Sequence, residues 1–252
     1  PSQSIARPVH LMRIGCDLDG VLADLHTAFA ETARRMFPEV ADALAAADVA
    51  ASPPEDEEPA DPDGYAPPPE MALSRRQSDA VWRELEAREN FWESLGEIEP
   101  GTIRRLATLT DARGWELIFL TSRPRSAGRI VQQQSQRWLA GQGYEMPSLF
   151  VVHGSRGSIA DALQLDVVID DRPENCLDVV LESKVGAILV WRGTRGSVPV
   201  SAKRMGIAVV PTMEACLDAL VAADRSKKDV PLLDRIRQIF GLRTRPAAPF
   251  LR

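Results

Sequence analysis

The chain is short of cysteine, histidine and aromatic side chains, and each shortage removes a class of chemistry. Three cysteines, Cys16, Cys176 and Cys216, are scattered through 252 residues with no Cys-x-x-Cys pair. An odd, widely spaced set argues against a disulfide framework or a thiolate zinc site and reads as reduced core thiols. Cys16 has no histidine near it in sequence, and its apolar neighbours favour burial over use as a nucleophile. The histidines His10, His26 and His153 show no metal-ligand spacing. Long apolar runs are missing too. Every run is strand-length and residues 1–10 lack the long apolar region of a secretory signal, which predicts a soluble cytoplasmic protein with no membrane contact. No basic stripe is interleaved with aromatics, so a nucleic-acid polymer is not an expected partner.

The net charge of −6 is local rather than general. Seven of the 36 acidic residues (Glu55, Asp56, Glu57, Glu58, Asp61, Asp63 and Glu70) fall in 52–70, which has no lysine or arginine, so the remainder carries +1. The folded part is therefore not an acidic body that would repel anionic small molecules. Segment 52–70 is proline-rich and too polar to pack, and it is expected to be a disordered loop.

The most informative stretch is Ile14-Gly15-Cys16-Asp17-Leu18-Asp19-Gly20, an apolar strand ending in two carboxylates two residues apart. Residues i and i+2 of an extended chain point the same way, so the stretch gathers two anions at the carboxyl end of a strand. A hard divalent cation such as Mg²⁺ relieves their repulsion and also accepts phosphate oxygens. Downstream, the apolar run 115–120 stops at Thr121-Ser122-Arg123-Pro124, and Val167-Val168-Ile169 ends in Asp170-Asp171. Between them Ser155-Arg156-Gly157-Ser158 forms the entrance to a helix and supplies a cation.

Carboxylate pair, hydroxyl, cation and carboxylate pair, in that order and each at an element boundary, resemble the four motifs of the haloacid dehalogenase-like hydrolase superfamily. Further motifs, Phe91-Trp92-Glu93-Ser94-Leu95, Glu99-Pro100-Gly101 and Asp170-Asp171-Arg172-Pro173-Glu174-Asn175, narrow the likeness to the 5′(3′)-deoxyribonucleotidase branch, over residues 11–222. The resemblance implies a Mg²⁺-dependent phosphomonoesterase working through a phosphoaspartate on a small phosphorylated substrate, a nucleoside monophosphate within that branch. It makes Asp17 the nucleophile and Asp19 the general acid and base. Thr121, Ser122 and Arg156 become the phosphate-binding set. Asp17, the backbone carbonyl of Asp19, and Asp170 become the metal ligands. Arginine stands at 156 where the superfamily usually has lysine, with Arg123 and Arg125 as alternative cations. Asp171 and Glu174 are spaced as an N-cap with a reciprocal acid, so Asp171 is assigned to capping or to supporting a metal ligand rather than to direct ligation.

Residues 11–24 and 99–224 alternate strand and helix, which predicts an α/β fold: a Rossmann-like parallel sheet with helices on both faces. Residues 25–98 are expected to be a small helical cap inserted after the first strand, and 225–252 a terminal helix and tail. Within the cap, Phe29, Trp82, Phe91 and Trp92 are candidates for a nucleobase platform, although aromatics at helical spacing more often pack a core. Two alternatives remain open on sequence alone: a phosphatase for a sugar phosphate or other small phosphomonoester, and a catalytically idle scaffold that binds a partner. Oligomeric state is not legible.

Overall fold

The structure is a computed structural model, describing residues 11–40, 73–193, 197–225 and 232–241. The acidic segment 52–70, His10, and most of the terminal tail lie outside the described residues. Six apolar runs form the strands β1 (Arg13–Asp17), β2 (Glu116–Thr121), β3 (Ser148–Val151), β4 (Val167–Asp170), β5 (Gly186–Val190) and β6 (Ala208–Val210). They build one sheet in the order β3-β2-β1-β4-β5-β6, with every pairing parallel. Helices linking the strands are α3 (Thr102–Arg113), α4 (Val131–Gly141), α5 (Arg156–Ala162), α6 (Pro173–Glu182) and α7 (Val200–Met205), with α8 (Met213–Arg225) and α9 (Leu232–Ile239) after the last strand.

Alternate strand residues serve opposite faces of the sheet, and the core divides accordingly. Cys16, Phe119, Ile169 and Ile188 join the cluster that includes Ile103 of α3, Leu139 of α4 and Leu217 of α8. Leu120, Val168 and Leu189 join the other, with Ala160 of α5, Val179 of α6 and Ala202 of α7. Strands covered on both faces must be apolar along their whole length, which is why their sequences read as continuous runs.

Between β1 and α3 the chain inserts α1 (Leu25–Met36) and α2 (Arg75–Ala87), which pack on each other. Asp24 caps α1, accepting from the backbone N–H of Thr27 at 3.0 Å. Ser74 and Gln77 form a reciprocal capping box on α2. The two connections to this insertion run side by side. Asp24 N–H donates to the Gly96 carbonyl and Ile98 N–H to the Leu22 carbonyl, both at 2.9 Å.

Strand order reverses direction between β1 and β4, the switch point at which open α/β sheets leave a crevice beyond their carboxyl ends. The last residues of these two adjacent strands are Asp17 and Asp170.

Candidate functional site

Asp17 ends β1 and is 7% exposed; Asp170 ends β4 and is fully buried. Arg156, the first residue of α5, reaches both. Its Nη2 donates to Asp17 Oδ1 at 2.5 Å, and its Nε lies 3.6 Å from Asp170 Oδ2. The side chain arrives there because Ser155 caps α5, accepting from Gly157 N–H and Ser158 N–H, and so starts the helix at Arg156. Arg156 Nη1 is buried with no hydrogen-bond partner among the described residues. Asp170 is held further by the backbone N–H of Arg172 at 2.9 Å and by Asn175 Nδ2, at 2.9 and 3.1 Å from its two oxygens.

The structure excludes one of the two roles assigned to Asp171. The N-cap of α6 is Arg172, with no side-chain cap bond, because Pro173 occupies the first turn and starts the helix one residue later. Asp171 therefore does not cap α6. Its carboxylate belongs with those of Asp17 and Asp170, and one oxygen from each lies within 4.8 Å of the others, close enough for a single metal ion. Asp171 Oδ1 is buried without a hydrogen-bond partner among the described residues. A Cβ on Gly20 would overlap this carboxylate, and Gly20 has φ +81°, so glycine is required on both counts.

Burial dominates the electrostatics of the cluster. It pushes the Asp17 carboxyl well up from the ordinary carboxylate range, reinforced by Asp170 and opposed by Arg156. Asp170 is raised by burial, against the opposing N–H bond from Arg172 and the charge of Arg156. Asp171 is pushed up to about 7 by burial and by the charge of Asp170. Three carboxylates thus share one cluster, Arg156 pairs with two of them, and an oxygen of Asp171 has no hydrogen-bond partner among the described residues. A hard divalent cation fits this donor set.

Asp19 lies in the turn after β1, but its carboxylate takes a different partner. Arg123 Nε donates to both of its oxygens at 3.0 and 2.8 Å, and Nη2 to Oδ1 at 2.7 Å. Of the three candidate cations, Arg156 therefore meets Asp17 and Arg123 meets Asp19, while Arg125 is exposed. Thr121, at the end of β2, is buried one residue beyond Leu120, the register partner of Asp17, and Ser122 is exposed.

One residue that braces this turn, Arg192, carries no signal in the local sequence. Arg192, after β5, donates to the carbonyls of Gly20 and Val21, the latter at 3.1 Å, and pairs with Glu99 at 2.7 Å. Glu99 also accepts from the backbone N–H groups of Met213 and Glu214 at the start of α8. The turn that holds Asp19 is thereby tied to the opposite edge of the sheet.

The aromatic platform is not assembled. Phe29, Phe91 and Trp92 are each no more than 2% exposed and belong to the core. Trp82 is partly buried, with its ring centroid 5.3 Å from that of Phe29. The cysteines are buried, and burial pushes all three thiols up, as their structural role requires.

No family model matches the chain, and no curated protein matches it in sequence. Solved structures do. A Thermotoga maritima protein proposed to be a β-phosphoglucomutase shares 18% identity, covering 84% of this chain and 99% of that one, with a TM-score of 0.50. A haloacid dehalogenase family hydrolase from Deinococcus radiodurans R1, solved with phosphate and sodium bound, shares 16% identity over 85% and 96% of the two chains, with a TM-score of 0.47. A Lactobacillus delbrueckii subsp. bulgaricus protein proposed to be a phosphoglycolate phosphatase also shares 16% identity, over 82% and 97%, with a TM-score of 0.47. The likeness to the first is one of fold. The chain shares the α/β fold of that protein, a parallel sheet with helices on both faces. No helix among the described residues is long and apolar enough to cross a membrane.

Proposed function

We infer that the chain is a phosphomonoesterase that transfers the phosphoryl group of a small substrate first to Asp17 and then to water. The observation that carries this reading is Arg156: a buried guanidinium fixed on Asp17 with Nη1 left over, next to a carboxylate cluster in which an oxygen of Asp171 also has no hydrogen-bond partner among the described residues. A buried donor and a buried acceptor without partners cost free energy unless a ligand supplies the missing contacts. An anionic phosphate on Arg156 and a cation among the carboxylates would supply both.

Asp17, Asp170, Asp171 and the backbone carbonyl of Asp19 would hold Mg²⁺. When bound, the ion neutralises charge on the carboxylates and on the phosphate, so that one anion can approach another. Asp17 then attacks phosphorus as the bond to the leaving oxygen breaks, and that oxygen takes a proton from Asp19. Water next attacks the phosphoaspartate, Asp19 recovers a proton from it, and inorganic phosphate departs with Asp17 restored. Arg156 Nη1 and the Thr121 and Ser122 hydroxyls would donate to the phosphoryl oxygens.

The flanking motifs favour a nucleoside monophosphate, handled in the cytoplasm as a free small molecule. The burial of Phe29, Phe91 and Trp92 favours the second substrate class, a sugar phosphate or other small phosphomonoester, because three of the four candidates for stacking on a base are unavailable. A phosphate-release screen over nucleoside monophosphates and sugar phosphates, with Mg²⁺ and with chelator, tests both. Release that requires Mg²⁺ is expected. Efficient release in chelator, or none from any phosphomonoester, would refute the reading.

A further inference from the structure

We propose that Arg123 is the positioning residue for Asp19, and that its seat between two tryptophans makes the segment returning from the helical insertion part of the catalytic alignment. The inference rests on the phosphomonoesterase reading and deepens it. A carboxylate on a turn can ordinarily rotate about two side-chain bonds, whereas that of Asp19 is gripped by a planar fork. Oδ1 takes two N–H bonds and Oδ2 takes one, so Oδ2 keeps the spare capacity to exchange a proton with a leaving oxygen or a water.

The fork is itself immobilised. The Arg123 side chain is completely buried and its Nη1 donates to Ser135 Oγ at 2.9 Å. Its guanidinium carbon lies 4.8 Å from the ring centre of Trp92 and 5.6 Å from that of Trp138. Both indoles are pinned by their N–H groups: Trp92 Nε1 to the Pro124 carbonyl at 3.0 Å, and Trp138 Nε1 to the Leu95 carbonyl at 2.7 Å. Segment 91–95, α4 and the loop after β2 therefore fix one cation together. An arginine taken wholly from water is costly unless its charge and donors are matched. Here each of its nitrogens donates, and the matching partner is the residue assigned the proton transfer. A salt bridge that only held the fold would need no such partner.

The test uses the full-length enzyme and a series of phosphomonoesters from alkyl to nitrophenyl leaving groups. Arg123→Lys retains the positive charge and loses the fork, so it isolates geometry from charge. A displacement of a reacting group by about 1 Å can cost roughly 10²-fold. A kcat loss of that order is expected on alkyl phosphates, with only a few-fold loss on nitrophenyl phosphate and little change in KM. Ser135→Ala, which removes only the Nη1 anchor, should give a smaller loss with the same leaving-group dependence, and it serves if Arg123→Lys does not fold. Adding Arg123→Lys to Asp19→Asn should cost nothing further on alkyl phosphates. Equal losses across the series, or additive losses in the double variant, would overturn the proposal and leave the phosphatase reading standing. Asp19→Asn with undiminished rates on every substrate would instead defeat the mechanism on which it rests.

Discussion

Asp171→Asn should stabilise the metal-free protein, and only above a definite pH. Burial and the neighbouring Asp170 raise the Asp171 carboxyl to about 7 from an ordinary value of 3.8. A group whose pKa is raised by folding favours the folded state while it is protonated. That contribution is complete below the unfolded value and is lost as pH rises through the folded one. Between pH 4 and pH 7 the wild-type protein should therefore lose stability that the amide variant keeps. Three pKa units at about 1.4 kcal/mol each set an upper bound of about 4 kcal/mol. For a chain of this size that corresponds to a rise in Tm on the order of 10 °C.

Thermal melts of both proteins in chelator from pH 4 to pH 8 give the difference directly. The curves should coincide near pH 4 and diverge toward pH 8, with the variant the more stable. Added Mg²⁺ should close the gap at pH 8 by stabilising the wild type more than the variant, because the ion binds only the folded cluster. A variant with no advantage at pH 8, or one whose advantage is independent of pH, would refute the view that Asp171 is an uncompensated member of the carboxylate group.

Asp17→Asn should abolish phosphate release while leaving the circular dichroism spectrum essentially native, since an amide cannot serve as the attacking oxygen. Gly20→Ala should lower stability by at least about 1–2 kcal/mol, the strain of a left-handed non-glycine residue, and lower turnover with it, because the new methyl meets the Asp171 carboxylate; a wild-type denaturation midpoint would contradict this. Phe91→Ala should cost about 3–5 kcal/mol, as emptying a core aromatic site does, and should affect nucleotide and aryl phosphate hydrolysis together; selective loss on nucleotides would show a base contact after all. Replacement of 53–68 by a short Gly/Ser linker should leave aryl phosphate turnover within a few-fold, since shortening a flexible insertion costs little.

What the sequence reveals and what it conceals follow from the range of the interactions concerned. β1, β2 and β4 are legible because strands buried on both faces are apolar throughout, and Ser155-Arg156-Gly157-Ser158 is legible as a helix entrance, although the helix already starts at Arg156 within it. α7 passes unnoticed, since six residues between Pro199 and Gly206 offer too little periodicity. α4 begins only at Val131, because Pro124 and the positive φ of Gly128 keep the preceding loop irregular. Asp171 shows how a local pattern misleads: the Asp-to-Glu spacing fits a cap, but Pro173 moves the helix start. The pairs that fix the site are separated by long stretches of chain. Arg123 to Asp19 spans 104 residues and Arg192 to Gly20 spans 172, and no window along the chain contains either.

Charge bookkeeping at the cluster ties these observations to the need for a cation. Asp19 is matched by Arg123, so its charge is largely cancelled within the pair. Among the described residues Arg156 is the side-chain cation paired with this group, through Asp17 and Asp170, while Arg172 and Arg192 act on Asp170 and Asp171 without pairing with them. Fully ionised, the three carboxylates carry two negative charges beyond that of Arg156, and burial has already raised all three carboxyls. A phosphomonoester brings about two more near neutral pH. At an effective dielectric of about 20, each close like-charge pair costs several kcal/mol, more than one leftover Arg156 N–H can offset at about 1.5–3 kcal/mol for a charged hydrogen bond. One divalent ion cancels the excess before the substrate arrives. Phosphate should therefore bind the metal-free protein weakly and gain affinity as Mg²⁺ is titrated in. Tight phosphate binding in chelator at pH 8, measured by calorimetry, would show that Arg156 alone suffices.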